Sequence, residues 1–243
     1  MTEGPGLLTL GDALFLDIDG TLLEHQDHPE AVRVDDDLRA LLQKGFFRLE
    51  GALALITGRT IAMVDHLFLP LELPAAGIYG LEMRLAAGEP VTRAPEPGAL
   101  SRVTETLTGR FAGVEGVYFE RKGPVLAIHT RAAPHMLEAV MKAARELLPE
   151  LGADYRIAAG NAGLELVPIA GVKAAAIERF MATAPFAGRR PVFLGDDTTD
   201  ESGFNFVNGC GGLSVRVKPN GPTAARFTLP DVASARAWIG AAF

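Results

Sequence analysis

LFLDIDGTLL, residues 14–23, opens as a strand and breaks off at two aspartates, Asp17 and Asp19, one residue apart and followed at once by Gly20-Thr21. A short apolar run bounded by a turn signal reads as a strand of a parallel sheet, covered on both faces. Carboxylates are costly to bury and easy to avoid, so a pair of them at the end of such a strand calls for a chemical reason.

Working outward, the next segments fall into the same alternation. The acidic cluster Asp35-Asp36-Asp37 suits a helix N-terminus and precedes helical residues Leu38 to Leu42. Ala52 to Ile56 reads as a second strand. Ile61, Val64 and Leu67-Phe68 recur at helical spacing, and Ala76 to Tyr79 reads as a short extended piece. This β-α-β-α-β series predicts an α/β fold with a parallel sheet. After a Pro/Gly-rich passage from Gly88 to Gly98 the pattern changes. Leu100, Val103, Leu107 and Phe111 line a helical face, strands are expected at 118–121 and 125–131, and Pro134 opens a second helix. Two further strands, 155–159 and 164–167, flank a Gly160-Asn161 turn. Helix, strand pair, helix, strand pair predicts an α+β layer with an antiparallel sheet. The expected division is one unit of residues 1–86 and 169–243 carrying an inserted domain of residues 87–168. Beyond the inserted domain, a helix at 172–181, strands at 191–194 and 213–217 and a helix at 232–239 resume the first pattern.

Composition narrows the classes of function. With 243 residues, 48% hydrophobic and 22% charged, the chain can bury a large core and has no signature of disorder. Its net charge of −7 argues against nucleic acid and anionic membranes as partners, because phosphate backbones select basic surfaces. The single cysteine, Cys210, excludes an internal disulfide and fits a reducing compartment, so the cytoplasm is expected. No apolar run reaches the roughly 18 to 20 residues of a membrane span, and the first residues lack a basic leader. The five histidines show no zinc-ligand spacing. The expectation is a monomer acting on a small anionic molecule.

Four stations in the alternating part place polar groups at expected strand ends or helix starts, where open parallel sheets bind ligands. They are Asp17 to Thr21, Thr57-Gly58-Arg59, Lys173, and Gly195-Asp196-Asp197-Thr198-Thr199-Asp200-Glu201. Close carboxylates are balanced economically by a hard divalent cation, and Mg²⁺ is the usual choice beside phosphates. Asp17 offers one oxygen to a metal and another for attack, while Asp19 can serve as general acid and then as base. The Thr57 hydroxyl, the Lys173 ammonium and the backbone amides following Asp17 would stabilise a transferring phosphoryl group, with Gly20, Thr21, Gly58 and Arg59 binding the substrate there. Asp196 and Asp200 are expected to complete a metal shell with Asp17 and Asp19.

In this order the stations resemble the four motifs of the haloacid dehalogenase superfamily of phosphohydrolases, which implies a Rossmann-like core. An Asp two places after the first aspartate resembles the phosphatase members, and an insertion between the second and third motifs resembles those whose α+β cap closes over small sugar phosphates. Within that group the chain is similar to the trehalose-6-phosphate phosphatases: GDDTTDE, Tyr79-Gly80-Leu81-Glu82, Val117 to Lys122, Ile128-His129-Thr130-Arg131 and Gly163 to Pro168 carry the likeness. The resemblance implies Mg²⁺-dependent hydrolysis of trehalose 6-phosphate through an aspartyl phosphate, with Glu120, Lys122, Arg131 and Glu165 contacting sugar hydroxyls. Tyr79, where the family often has histidine, and Ala174, where it usually has glycine, depart from the pattern. Two other readings stay open on the residues alone: a phosphatase for another sugar phosphate, such as sucrose phosphate or a glycosyl-phosphoglycerate, and a phospho-accepting signalling module built like a response-regulator receiver.

Overall fold

The computed structural model describes residues 5–25, 32–160 and 163–243. They divide into two compact units, one of residues 1–92 and 172–243 and one of residues 93–171, each with its own cluster of buried apolar side chains. No helix among the described residues is long and apolar enough to cross a membrane.

The larger unit begins with β1 (Asp12–Leu16), α1 (Asp36–Arg48), β2 (Leu53–Ile56), α2 (Ile61–Phe68), β3 (Ala75–Gly77), β4 (Glu82–Arg84) and β5 (Thr92–Arg93). Both β1 and β2 are buried throughout, as strands covered on two faces must be. The smaller unit holds α3 (Ala99–Arg110), β6 (Tyr118–Lys122), β7 (Val125–His129), α4 (Leu137–Leu147), β8 (Tyr155–Gly160) and β9 (Gly163–Pro168). The larger one then closes with α5 (Lys173–Met181), β10 (Arg190–Gly195), α6 (Glu201–Gly209), β11 (Leu213–Val217), β12 (Phe227–Leu229) and α7 (Val232–Gly240). Its sheet runs β12-β11-β10-β1-β2-β3-β4-β5, parallel from β12 to β3 and antiparallel from β3 to β4. The smaller sheet is antiparallel, in the order β6-β7-β9-β8. The mixed α/β class with a separate antiparallel layer is therefore as the alternation of periods predicts.

Three local features differ from the sequence reading. The extended piece at 76–79 stops at Gly77, and Ile78 to Gly80 form a 3₁₀ turn in which Ile78 and Tyr79 take φ of 47° and 59°. That left-handed conformation is costly for a β-branched residue and is overridden here by tertiary hydrogen bonds. The Ile78 N–H donates to the Arg59 carbonyl and the Tyr79 N–H to the Thr57 carbonyl, each at 2.9 Å. The short strands β4, β5 and β12 carry too few residues for a period to register. Pro134 opens a 3₁₀ turn that leads into α4, rather than the α-helix itself. The Asn161 part of the expected turn lies outside the described residues.

Packing fixes where α5 begins. Phe15 of β1, Phe180 of α5 and Phe186 form a ring cluster with centroids 4.9 to 5.8 Å apart, a geometry that aromatic groups favour. The buried stripe of α5 is Lys173, Ala176, Ile177 and Phe180, the i, i+3, i+4, i+7 pattern of one helix face. A lysine therefore occupies the first position of an otherwise apolar stripe.

Asp35 caps α1 by accepting from the Leu38 N–H at 2.7 Å, and its other oxygen accepts from Arg236 of α7 at 2.6 Å. Arg236 also donates to the Leu22 carbonyl at 2.8 Å, tying both helices to the loop after β1. The Arg236 hydrogen bond holds the Asp35 carboxyl below its usual range. Its contribution is present above that range and is lost as pH falls through the lowered value. Asp35→Ala should cost about 1 kcal/mol near neutral pH, seen as a Tm lower by about 2–4 °C. The gap between variant and parent should narrow as the medium is acidified.

Candidate active site

β1 and β10 are parallel neighbours from which the chain departs in opposite directions, to β2 and β3 on one side and β11 and β12 on the other. At such a reversal the crossovers diverge and leave a crevice beyond the carboxyl ends of the strands. Leu16 pairs with Leu194, and the Asp17 N–H donates to the Leu194 carbonyl at 3.0 Å. Asp17 thus leaves β1 beside the end of β10, where Gly195 and Asp196 follow, while Thr57 leaves β2 on the other side.

Asp17, Thr57, Lys173 and Asp200 are all buried there. The Lys173 ammonium donates to Asp17 Oδ1 at 2.7 Å and to Asp200 Oδ1 at 2.6 Å, and the Thr21 hydroxyl donates to Asp17 Oδ2 at 3.0 Å. Burial works against the Lys173 cation, but Asp17 and Asp200 outweigh it and hold its pKa well above the usual value. Burial pushes the Asp17 carboxyl up, and the negative charges of Asp200 and Asp196 add to this against the pull of Lys173. Asp200 is raised by burial too.

Oxygens of Asp17, Asp196 and Asp200 come within 4.8 Å of one another. Three carboxylates thus face one ammonium, a set of hard oxygen donors with unbalanced negative charge that fits a divalent cation. Asp200 is the most occupied of the three. Besides Lys173 it accepts from the Asp196 and Asp197 N–H groups, each at 3.0 Å, so it organises the acidic loop as well as the lysine. Asp197 turns to its own helix start, accepting from Thr199 N–H at 2.7 Å, and is absent from the carboxylate cluster. Gly195 is required by this closeness: a Cβ there would stand 2.2 Å from the Asp200 carboxyl carbon.

Asp19 does not join the carboxylate cluster through its side chain. Arg59 grips it in a fork, Nε to Oδ2 and Nη2 to Oδ1, both at 2.7 Å. The Arg59 N–H also donates to the Thr57 hydroxyl oxygen at 3.2 Å. The tyrosine of the left-handed turn lies over Gly58, where a Cβ would meet the Tyr79 hydroxyl at 2.8 Å. Gly20 has φ of 84°, and a Cβ on it would strike Asp196 Oδ2 at 2.0 Å.

Two side chains at this site escape the motif reading. His25 Nε2 lies 2.9 Å from Asp196 Oδ2, a hydrogen bond that raises the imidazole pKa. Buried Arg216 of β11 donates to the Asp196 carbonyl at 3.1 Å and to Glu201 at 3.0 Å. An arginine inside an apolar strand signals Arg216, whereas nothing in the spacing marks His25.

The smaller unit presents a polar group of its own. Glu120, Ala127 and Glu165 are aligned across β6, β7 and β9, so they share a face. Lys122 Nζ lies 3.5 Å from Glu120 and 3.6 Å from Glu165, and His129 Nε2 lies 2.9 Å from Glu120. The His129 hydrogen bond, helped by Lys122 against partial burial, lowers the Glu120 pKa. His129 enters this group although histidine spacing gives no sign of it. Arg131 lies beyond the end of β7 and is exposed. The opposite face carries Leu126, Ile128, Leu164 and Leu166 into the unit's core.

Residues 15–233 match a family model described as trehalose-phosphatase. The chain is 42% identical over 231 residues to a probable trehalose-phosphate phosphatase of Sinorhizobium fredii, covering 94% of this chain and 85% of that one. It is 38% identical over 242 residues to the trehalose-6-phosphate phosphatase of Escherichia coli, covering 98% and 89%. Among solved structures, the C-terminal domain of trehalose-6-phosphate phosphatase from C. albicans is similar with a TM-score of 0.81 at 20% identity, over 95% of this chain and 92% of that one. A structure from a phosphoryl-transfer superfamily is similar with a TM-score of 0.62 at 14% identity, over 93% and 95%. These likenesses show a shared fold.

Removing the ammonium would leave two buried carboxylates facing each other without a cation. Lys173→Met should lower stability by about 3–5 kcal/mol, measured as a shift of the urea midpoint with chelator present.

Proposed function

The chain belongs to the trehalose-phosphatase family, and on that premise we propose that it hydrolyses trehalose 6-phosphate to trehalose and phosphate through an aspartyl phosphate, with Mg²⁺ as cofactor. The observation that carries this reading is the Lys173 bridge between Asp17 and Asp200, which gathers three distant segments at the sheet's reversal point.

In the first step an oxygen of Asp17 attacks phosphorus while the bond from phosphorus to the sugar O6 breaks. Asp19, entering as the acid, gives its proton to O6, and neutral trehalose leaves. In the second step the Asp19 carboxylate takes a proton from water, whose oxygen attacks the phosphorus of the aspartyl phosphate. Phosphate is released and Asp17 is restored. Lys173 keeps one Asp17 oxygen oriented, and Thr57 with the backbone amides immediately after Asp17 donates to phosphoryl oxygens, where positioning and electrostatics supply most of the catalysis. Gly58 makes room for the Tyr79 ring at the same place. Asp17, Asp196 and the backbone carbonyl of Asp19 would hold Mg²⁺, with Asp200 supporting the shell. An ion held there would supply positive charge to the phosphoryl oxygens.

Glu120, Lys122, Arg131 and Glu165 on the smaller unit recognise sugar hydroxyls. Alternating acids and cations on one face suit a molecule rich in donors and acceptors. Action as a monomer belongs to the same proposal, and the single cysteine supports a cytoplasmic setting.

The test is phosphate release from trehalose 6-phosphate, sucrose 6-phosphate, a glucosyl-phosphoglycerate and p-nitrophenyl phosphate with Mg²⁺. Trehalose 6-phosphate should have the highest kcat/KM, excess chelator should silence turnover and Asp17→Asn should abolish it. Preference for another sugar phosphate would move the substrate, and full activity in chelator would remove the metal. Glu120→Ala should lower kcat/KM about ten- to a hundredfold more for trehalose 6-phosphate than for p-nitrophenyl phosphate, by loss of a charged hydrogen bond to the sugar. Equal losses would place Glu120 outside sugar recognition.

A further inference from the structure

Asp17 and Asp19 are held in different ways. The first is divided between a lysine and a threonine, one contact to each oxygen. The second has both oxygens on a single guanidinium, at 2.7 Å each, with the Arg59 side chain 11% exposed and that of Asp19 29% exposed. A planar fork on a carboxylate fixes its orientation as well as its place, which a point charge does not. Arg59 is itself clamped. Its carbonyl accepts from the Ile78 N–H at 2.9 Å, and a Cβ on Gly77 would stand 2.8 Å from that same carbonyl oxygen. The left-handed turn at Ile78 and Tyr79 therefore anchors the backbone from which the fork projects.

We propose that Arg59 is a positioning residue that acts through Asp19, holding its carboxyl group in the orientation for proton transfer, and is not a ligand of the phosphoryl group. The inference rests on the phosphatase reading above. An acid–base group works only within hydrogen-bond reach of the atom it serves, and a misplacement of about 1 Å costs on the order of a hundredfold. Help from an acid matters most when the departing oxygen is strongly basic. A poorly placed Asp19 should therefore penalise poor leaving groups selectively, whereas loss of a phosphoryl contact would penalise all esters alike.

The experiment uses substituted phenyl phosphates, which carry no sugar, from p-nitrophenyl to unsubstituted phenyl phosphate. For Arg59→Ala, kcat/KM should fall at least about tenfold more for phenyl than for p-nitrophenyl phosphate, steepening the dependence on leaving-group basicity. Arg59→Lys keeps the charge but not the fork and should steepen it less; it serves alone if the alanine variant fails to fold. Combining Arg59→Ala with Asp19→Asn should add little to the slope of Asp19→Asn, since one acts through the other. A uniform fall across the series, or additive slopes in the double variant, overturns the proposal and leaves the phosphatase reading standing. Absence of phosphate release by the unaltered chain from every ester overturns both.

Discussion

An ammonium group buried between two carboxylates sets the terms for the rest of the larger unit. Lys173 has no room to move into water, and its two partners come from the ends of β1 and from the turn after β10. Such a triad is weak support for stability, because desolvation consumes much of the attraction. Its value lies in geometry. The apolar stripe of α5 and the Phe15, Phe180 and Phe186 cluster fix the helix against the sheet, and the helix in turn delivers its first residue to the crevice. With Asp196 nearby, negative charge exceeds positive, which is an attraction for a cation.

A second constraint comes from hydrogen bonds between loops. The turn at Ile78 and Tyr79 accepts a backbone conformation that its residues disfavour, and in exchange ties down the Thr57-Gly58-Arg59 segment. Arg216 plays a comparable part on the other side, fastening the Asp196 carbonyl from within β11. Neither tie involves an atom that reacts. Both limit how far the loops can drift from the strand ends that carry them.

These ties mark the boundary of what the sequence discloses. The buried strands and amphipathic helices were legible because period and length are local properties, and the places of Asp17, Thr57 and Asp196 after strand ends were legible with them, whereas Lys173 reaches Asp17 from the start of a helix. The left-handed turn was not legible, because Ile and Tyr favour extended backbone and the forces that override them arrive from residues 57 and 59. His25 and His129 were missed for the same reason: their partners, Asp196 and Glu120, become neighbours only through loop packing and strand register. The Arg59 fork on Asp19 is likewise a contact across 40 residues. The smaller sheet was legible as antiparallel because its strands come in pairs joined by short turns, each pair following a helix.

The position of β10 has a consequence for how the chain is made. Its residues pair with β1 across 178 positions, with the entire smaller unit encoded between them. During synthesis β1 and β2 emerge early, so one edge of β1 stays open until the ribosome has finished the interposed segment. An open apolar edge is a template for wrong pairing, and contacts this distant form slowly. The interposed segment has its own core and can fold first as a domain. Early burial of its leucines would spare the waiting edge one set of competitors.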